Sequence, residues 1–268
     1  MKDQLENAIQ APERRPHPTK TTKAQKGDDG QIHFITDAGL RHLREAGAKG
    51  AKAAKELYDN PNAYIVLKPG QQMPEGWKGN ATLLYPSYAA FHSAVTGGKI
   101  PKNVKAVIYD NEHWNQTPVE EKWNAAEYAK KFEHLAHTHG YTFIAAPTQK
   151  FFDADAKYAD IIDVQLQDRE AHPGSYKKAL DHDLAVAHRE NPDEKVVAQI
   201  TSSVRHLDPS HAGHGKQGIA KAEHDIEKNA PDIDGFWGYV YQQNPRSIKD
   251  GQRILEHLAA DEKRGLKI

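Results

Sequence analysis

The feature that most constrains this chain is a repeat. Eight times between Ile32 and Val240, a short apolar run rich in β-branched and aromatic residues ends in a polar exit. The runs are 32–36, 63–67, 81–85, 104–109, 142–146, 161–167, 195–201 and 235–240. Apolar runs of this length without helical spacing read as buried strands. Helix-prone stretches follow most of them, over about 40–58, 88–95, 118–137, 153–158, 175–190, 217–229 and 247–263. After the second run, Pro69, Gly70, Pro74 and Gly76 leave little room for a helix. Strands alternating with helices predict an all-parallel sheet. Eight units in about 240 residues predict one closed (β/α)8 barrel, the TIM-barrel architecture, over residues 31–268. The alternative is an open doubly wound sheet, but the first run exits through Thr36-Asp37-Ala38-Gly39, without a glycine phosphate loop, and no Walker sequence occurs. Residues 1–30, polar and rich in Lys, Pro and Gly, read as an N-terminal tail.

Charge narrows the partners. Lys plus Arg total 36 and Asp plus Glu 37, so there is no electrostatic case for nucleic acid or an anionic membrane. No apolar run approaches the length of a membrane span. The chain has no cysteine, which excludes disulfides, thiol nucleophiles and zinc–thiolate sites. Its 16 histidines leave an imidazole metal site open. The N-terminus lacks the apolar core of a signal peptide, which suits a cytoplasmic protein and a mature secreted one equally.

Barrel enzymes place their chemistry at the C-terminal ends of the strands. That rule turns the run list into a site list. The fourth run, Val104-Lys105-Ala106-Val107-Ile108-Tyr109, exits into Asp110-Asn111-Glu112-His113-Trp114. Residues two apart on a strand share a face, so Ala106, Ile108, Asp110 and Glu112 point one way and Val107, Tyr109 and Asn111 the other. On an extended strand the two acids would lie roughly 6.5–7 Å apart. Two such neighbours disfavour joint ionisation, which lets Glu112 stay protonated as an acid while Asp110 stays charged. The remaining exits offer Tyr85 from the third run, Gln165 and Gln167 from the sixth, on the face of Asp163, Gln199 and Thr201 from the seventh, and Trp237 and Tyr239 from the eighth. Amides match the mixed donors and acceptors of a sugar, and aromatic faces match its apolar side. Glycosidic cleavage needs one protonated carboxyl group to help the leaving group depart. The expected ligand is a small molecule or carbohydrate, with Glu112 and Asp110 catalytic and Tyr85, His113, Trp114, Gln165, Gln167, Gln199, Thr201, Trp237 and Tyr239 binding. No cofactor is expected, and no metal, because no clear histidine triad accompanies the acid pair.

Tyr109-Asp110-Asn111-Glu112 resembles the fourth-strand motif of the (β/α)8 glycoside hydrolases, most closely the chitinase-like family 18. The resemblance implies Glu112 as general acid, Asp110 as the carboxylate that orients the substrate's acetamido group, and Trp237 as the eighth-strand tryptophan. Lys105 and Ile108 stand where that family has two further aspartates, and its sixth-strand tyrosine has no counterpart in Val164-Gln165-Leu166-Gln167. The wider set Tyr109–Trp114, Thr117-Pro118, Gln165-x-Gln167 and Gly235-Phe236-Trp237 is also similar to uncharacterised bacterial barrel proteins.

Other readings use the same residues. A lyase, isomerase or cyclase could run on the same acid pair, and a carbohydrate-binding pseudoenzyme would keep the lining without turnover. His134, His137 and His139 precede a strand and belong to the bottom face, where an imidazolium complements a helix C-terminus. Asp181-His182-Asp183 reads as an outer helix face. The loop His206–Lys216 follows the seventh run and borders the expected mouth.

Overall fold

The computed structural model of the chain describes residues 31–112, 115–169, 173–201, 233–240 and 245–263. Eight parallel strands close a barrel in sequence order: β1 (Ile32–Thr36), β2 (Ala63–Leu67), β3 (Asn80–Tyr85), β4 (Val104–Tyr109), β5 (Thr142–Ala145), β6 (Ile161–Val164), β7 (Lys195–Thr201) and β8 (Gly235–Tyr239). The seam is made by Trp237, which is level with Phe34 on β1 and Gln199 on β7. A Cβ at Gly235 would run into the carbonyl oxygen of Ile32, so glycine is what lets β8 close against β1 there.

Period-two alternation sorts the strand residues into two cores. Ala106, Ile108, Ile144, Ile161 and Val197 fill the barrel interior. Val107, Tyr109, Phe143, Ile162 and Val196 face outward under the helices. Behind β4, the Phe132 ring stacks on Phe91, Tyr109 and Phe143 at centroid distances of 4.4, 4.8 and 5.1 Å. Each such buried ring contributes about 1.5–3 kcal/mol of transfer free energy.

The helices are α1 (Asp37–Glu45), α2 (Ala48–Tyr58), α3 (Tyr88–Thr96), α4 (Val119–Trp123), α5 (Ala125–Thr138), α6 (Phe152–Ala156), α7 (Pro173–Glu190) and α8 (Pro245–Lys263). Two helices expected to be continuous are broken. The 40–58 stretch divides at Gly47, whose φ of 94° is left-handed and open to glycine without strain. The 118–137 stretch divides at Asn124. Pro118 holds the cap position of α4, and the Thr117 hydroxyl donates to the Pro86 carbonyl at 2.8 Å. β6 stops at Val164, three residues before its apolar run does, and a 3₁₀ turn follows at Gln167–Arg169. The helix expected at 217–229 lies outside the described residues.

At the bottom of the barrel, His137 on α5 bridges Glu133 at 3.0 Å and Asp160 at 2.9 Å, and those hydrogen bonds hold its pKa up at about 10. On α7, His182 is exposed but Asp183 is not: its carboxylate is buried and accepts from Gln149 Nε2 at 2.7 Å. The outer face expected for Asp183 is therefore wrong, since this acid anchors the loop after β5.

Candidate active site

The site begins where β4 runs out. The ladder continues one residue past the strand: the Asp110 amide donates to the Tyr85 carbonyl and the Ala146 amide to the Tyr109 carbonyl, both at 2.9 Å. The Glu112 amide then donates to the Asp110 carbonyl at 3.0 Å, closing a three-residue turn centred on Asn111. The acids therefore do not sit on one extended strand, and the separation expected from an extended strand does not carry over.

Asn111 pins the turn from behind. Its side-chain Nδ2 donates to both oxygens of Asp155 on α6, at 3.3 and 3.2 Å, and its main-chain carbonyl accepts from the Thr148 amide at 3.2 Å. Burial pushes the Asp155 carboxyl well up, against the smaller opposing pull of the Asn111 bond. Further along the loop, buried Glu121 on α4 accepts from the Tyr88 amide at 2.7 Å, the Ala89 amide at 2.9 Å and the Tyr109 hydroxyl at 3.0 Å. It thereby satisfies the open N-terminal amides of α3 and ties them to β4. Burial first, and the Glu121 charge second, push the Tyr109 phenol far up, so it stays neutral. Thr117 and Glu121 thus fasten the far end of the segment that carries Asp110 and Glu112.

Glu112 is half-buried. Burial pushes its carboxyl up, and a hydrogen bond from the Gln165 side chain pulls less strongly the other way. Gln165 is itself held, because its Nε2 donates to the Ala146 carbonyl at 3.0 Å. Asp163 lies two residues before Gln165 and shares its face. It is 1% exposed, and neither carboxylate oxygen has a hydrogen-bond partner among the described residues. Burial, then the charges of Glu112 and Asp110, push its carboxyl well up. Asp163 is therefore coupled electrostatically to Glu112 and Asp110, and each carboxylate disfavours ionisation of the others.

The lining continues around the barrel. The Trp237 indole is 4% exposed and stacks on Phe34 (5.4 Å, 21°), which stacks on Tyr64 (4.7 Å, 10°). Trp237 Nε1 is buried without a hydrogen-bond partner among the described residues. Gln199 is level with Trp237, and Thr201 with Tyr239. Gln199 and Thr201 are buried on the inward face, while Tyr239 is 38% exposed at the rim.

Two expected binding residues fall elsewhere. Tyr85 faces the helices: alternation turns Leu84 inward, and Tyr85 packs on Phe91 at 5.2 Å, where burial raises its phenol to about 12. Gln167 sits in the 3₁₀ turn rather than on the face of Asp163 and Gln165, because β6 has already ended. His113, Trp114 and the loop His206–Lys216 lie outside the described residues. Asp163 is the residue that sequence reasoning passed over. A lone acid inside the run Ile161-Ile162-Asp163-Val164 was its signal, since an acid in a strand interior needs a reason to be there. Among the described residues no group of three His, Asp or Glu side chains could hold a metal ion, and no helix is long and apolar enough to cross a membrane.

No family model and no curated protein matches the sequence. Solved structures with a similar course include the glycoside hydrolase family 17 β-1,3-glucanosyltransferase of Rhizomucor miehei (11% identity, 80% of this chain and 88% of that one, TM-score 0.49). They also include dihydropteroate synthase from Thermus thermophilus (11% identity, 87% and 94% covered, TM-score 0.45). A structure from Aquifex aeolicus is similar at 12% identity, with 89% and 94% covered and a TM-score of 0.43. At these values the barrel rests on its own strand pairing, and the chemistry on its own residues.

Proposed function

We propose that this barrel is a carbohydrate-active enzyme of the glycosidase type, with Glu112 as general acid. The observation that carries the reading is the setting of Glu112: burial raises its carboxyl, an anchored amide orients it, and it stands at the end of the barrel where this fold keeps its chemistry. In this mechanism the Glu112 proton passes to the glycosidic oxygen as the bond from that oxygen to the anomeric carbon breaks, and a water molecule then bonds to that carbon and returns a proton to a carboxylate of the site, leaving a new reducing end. Asp110 sets the protonation of Glu112 and orients the substrate, and the Asp-x-Glu exit resembles that of the chitinase-like hydrolases. Gln165, Gln199 and Thr201 offer donors and acceptors to the hydroxyls, and Tyr239 offers a rim aromatic.

The test is turnover of an oligosaccharide panel, read as new reducing ends, by the wild-type chain and by Glu112→Gln. Glutamine keeps the shape and removes the proton. The substitution should lower the rate about 10²–10⁴-fold while leaving binding nearly unchanged. Conversion without new reducing ends would redirect the acid to lyase or isomerase chemistry. Full activity of Glu112→Gln on a substrate that the wild type cleaves would refute the assignment.

A further inference from the structure

Two buried side chains of the barrel interior remain unexplained by the mechanism above. Both carboxylate oxygens of Asp163 and the indole Nε1 of Trp237 lack hydrogen-bond partners among the described residues. Native interiors rarely leave such groups unpaired, and one that does so beside a reactive site points to a ligand. The two needs differ in sign. Trp237 Nε1 can only donate, so it requires an acceptor such as a hydroxyl oxygen. Asp163 adds a third carboxyl group to Asp110 and Glu112, which the raised acid feels electrostatically. Beside Asp163, the inward residues of the flanking strands are Ile144 on β5 and Val197 and Gln199 on β7, none of them cationic, and Lys195, at the first position of β7, is exposed. Across the barrel, β2 and β1 present the stacked rings of Tyr64 and Phe34, continued by Trp237. Carboxylates on one wall and aromatic faces on the other are the two groups that attract an organic ammonium. A neutral sugar would be served by the amides and would gain nothing from a buried third acid.

We propose that the barrel interior takes an amino sugar with a free amine, its ammonium seated on Asp163 and a hydroxyl oxygen accepting from Trp237 Nε1. This rests on the carbohydrate reading of the same site and gives it a substrate class. It does not depend on hydrolysis.

The experiment measures binding to the full chain by the indole N–H resonances, with glucosamine, N-acetylglucosamine and benzylamine as ligands. The two sugars differ in whether the nitrogen is charged, and benzylamine carries the charge without the sugar. Glucosamine should bind about tenfold tighter than N-acetylglucosamine, and Asp163→Asn should bring that ratio close to one. Asparagine copies the shape of a neutral acid, so the variant should fold. Trp237→Phe provides a second check: it should weaken both sugars alike and keep the ratio. Equal binding of the two sugars by the wild type, or a preference that Asp163→Asn leaves intact, overturns the ammonium site and leaves the carbohydrate reading standing. Benzylamine binding that Asp163→Asn weakens, with neither sugar bound, keeps the ammonium site and removes the carbohydrate reading. No binding of any of the three overturns both.

Discussion

Gln165 holds Glu112. Its side chain donates to the glutamate carboxyl group while its Nε2 is tied to the Ala146 carbonyl at 3.0 Å, so the acid at the end of β4 is aimed by the residue just beyond β6. The bond favours the ionised acid, yet burial outweighs it, and Glu112 ends with its carboxyl raised.

Gln165→Leu removes that donor. The rate should fall roughly 10–100-fold from lost positioning. A general acid must be protonated to act, so the basic limb of the rate profile follows its pKa. Without the donor from Gln165 the limb should move to higher pH. A lower rate with an unmoved limb would show that Gln165 supports the fold without acting on Glu112.

Glu121→Ala tests the frame of the site. It leaves two α3 amides and the Tyr109 hydroxyl without their acceptor in a buried setting. The cost should be about 2–4 kcal/mol in denaturant unfolding, since each unpaired buried group costs about 1–3 kcal/mol and the effects overlap. A change under about 0.5 kcal/mol would show that water replaces the carboxylate freely.

Glu194, just before β7, is 4% exposed, and neither oxygen has a hydrogen-bond partner among the described residues. Burial first, and Glu190 second, raise it to about 9 from the ordinary 4.5. The folded state therefore holds a proton that the unfolded state releases through that window. Stability from this group is full below pH 4.5 and is lost as pH rises towards 9. Glu194→Gln should leave stability at pH 5 nearly unchanged and raise it at pH 8 by roughly 1–3 kcal/mol. Equal effects at both pH values would place the Glu194 carboxyl in water.

The barrel was legible because the apolar runs were short and rich in β-branched and aromatic residues, and all but the second were followed by helix-forming sequence. The facing of β4 was legible because Ala106 and Ile108 alternate cleanly with Val107 and Tyr109. Other features depended on forces that periodicity does not report. Leu84 and Tyr85 are both apolar enough for either face, so the third run did not reveal which would turn inward. The sixth run continued to Gln167 on composition, whereas the strand ends at Val164. The turn at Asn111 is set by a tertiary bond to Asp155, 44 residues away in sequence. Asp163 was visible as a lone acid among apolar residues, but its value came only with the discovery that Asp110 and Glu112 lie close enough to shift it.

The central claim is that Glu112 is a general acid whose carboxyl is raised by burial above the ordinary carboxylate range. The most direct measurement is a carbon-13 NMR titration of the glutamate side-chain carboxyl carbons, with Glu112 assigned by its disappearance in Glu112→Gln. The account predicts a midpoint for Glu112 clearly above the ordinary 4.5, and a further rise in Gln165→Leu. A midpoint at or below 4.5 would make Glu112 an ordinary solvated carboxylate and contradict its role as the acid.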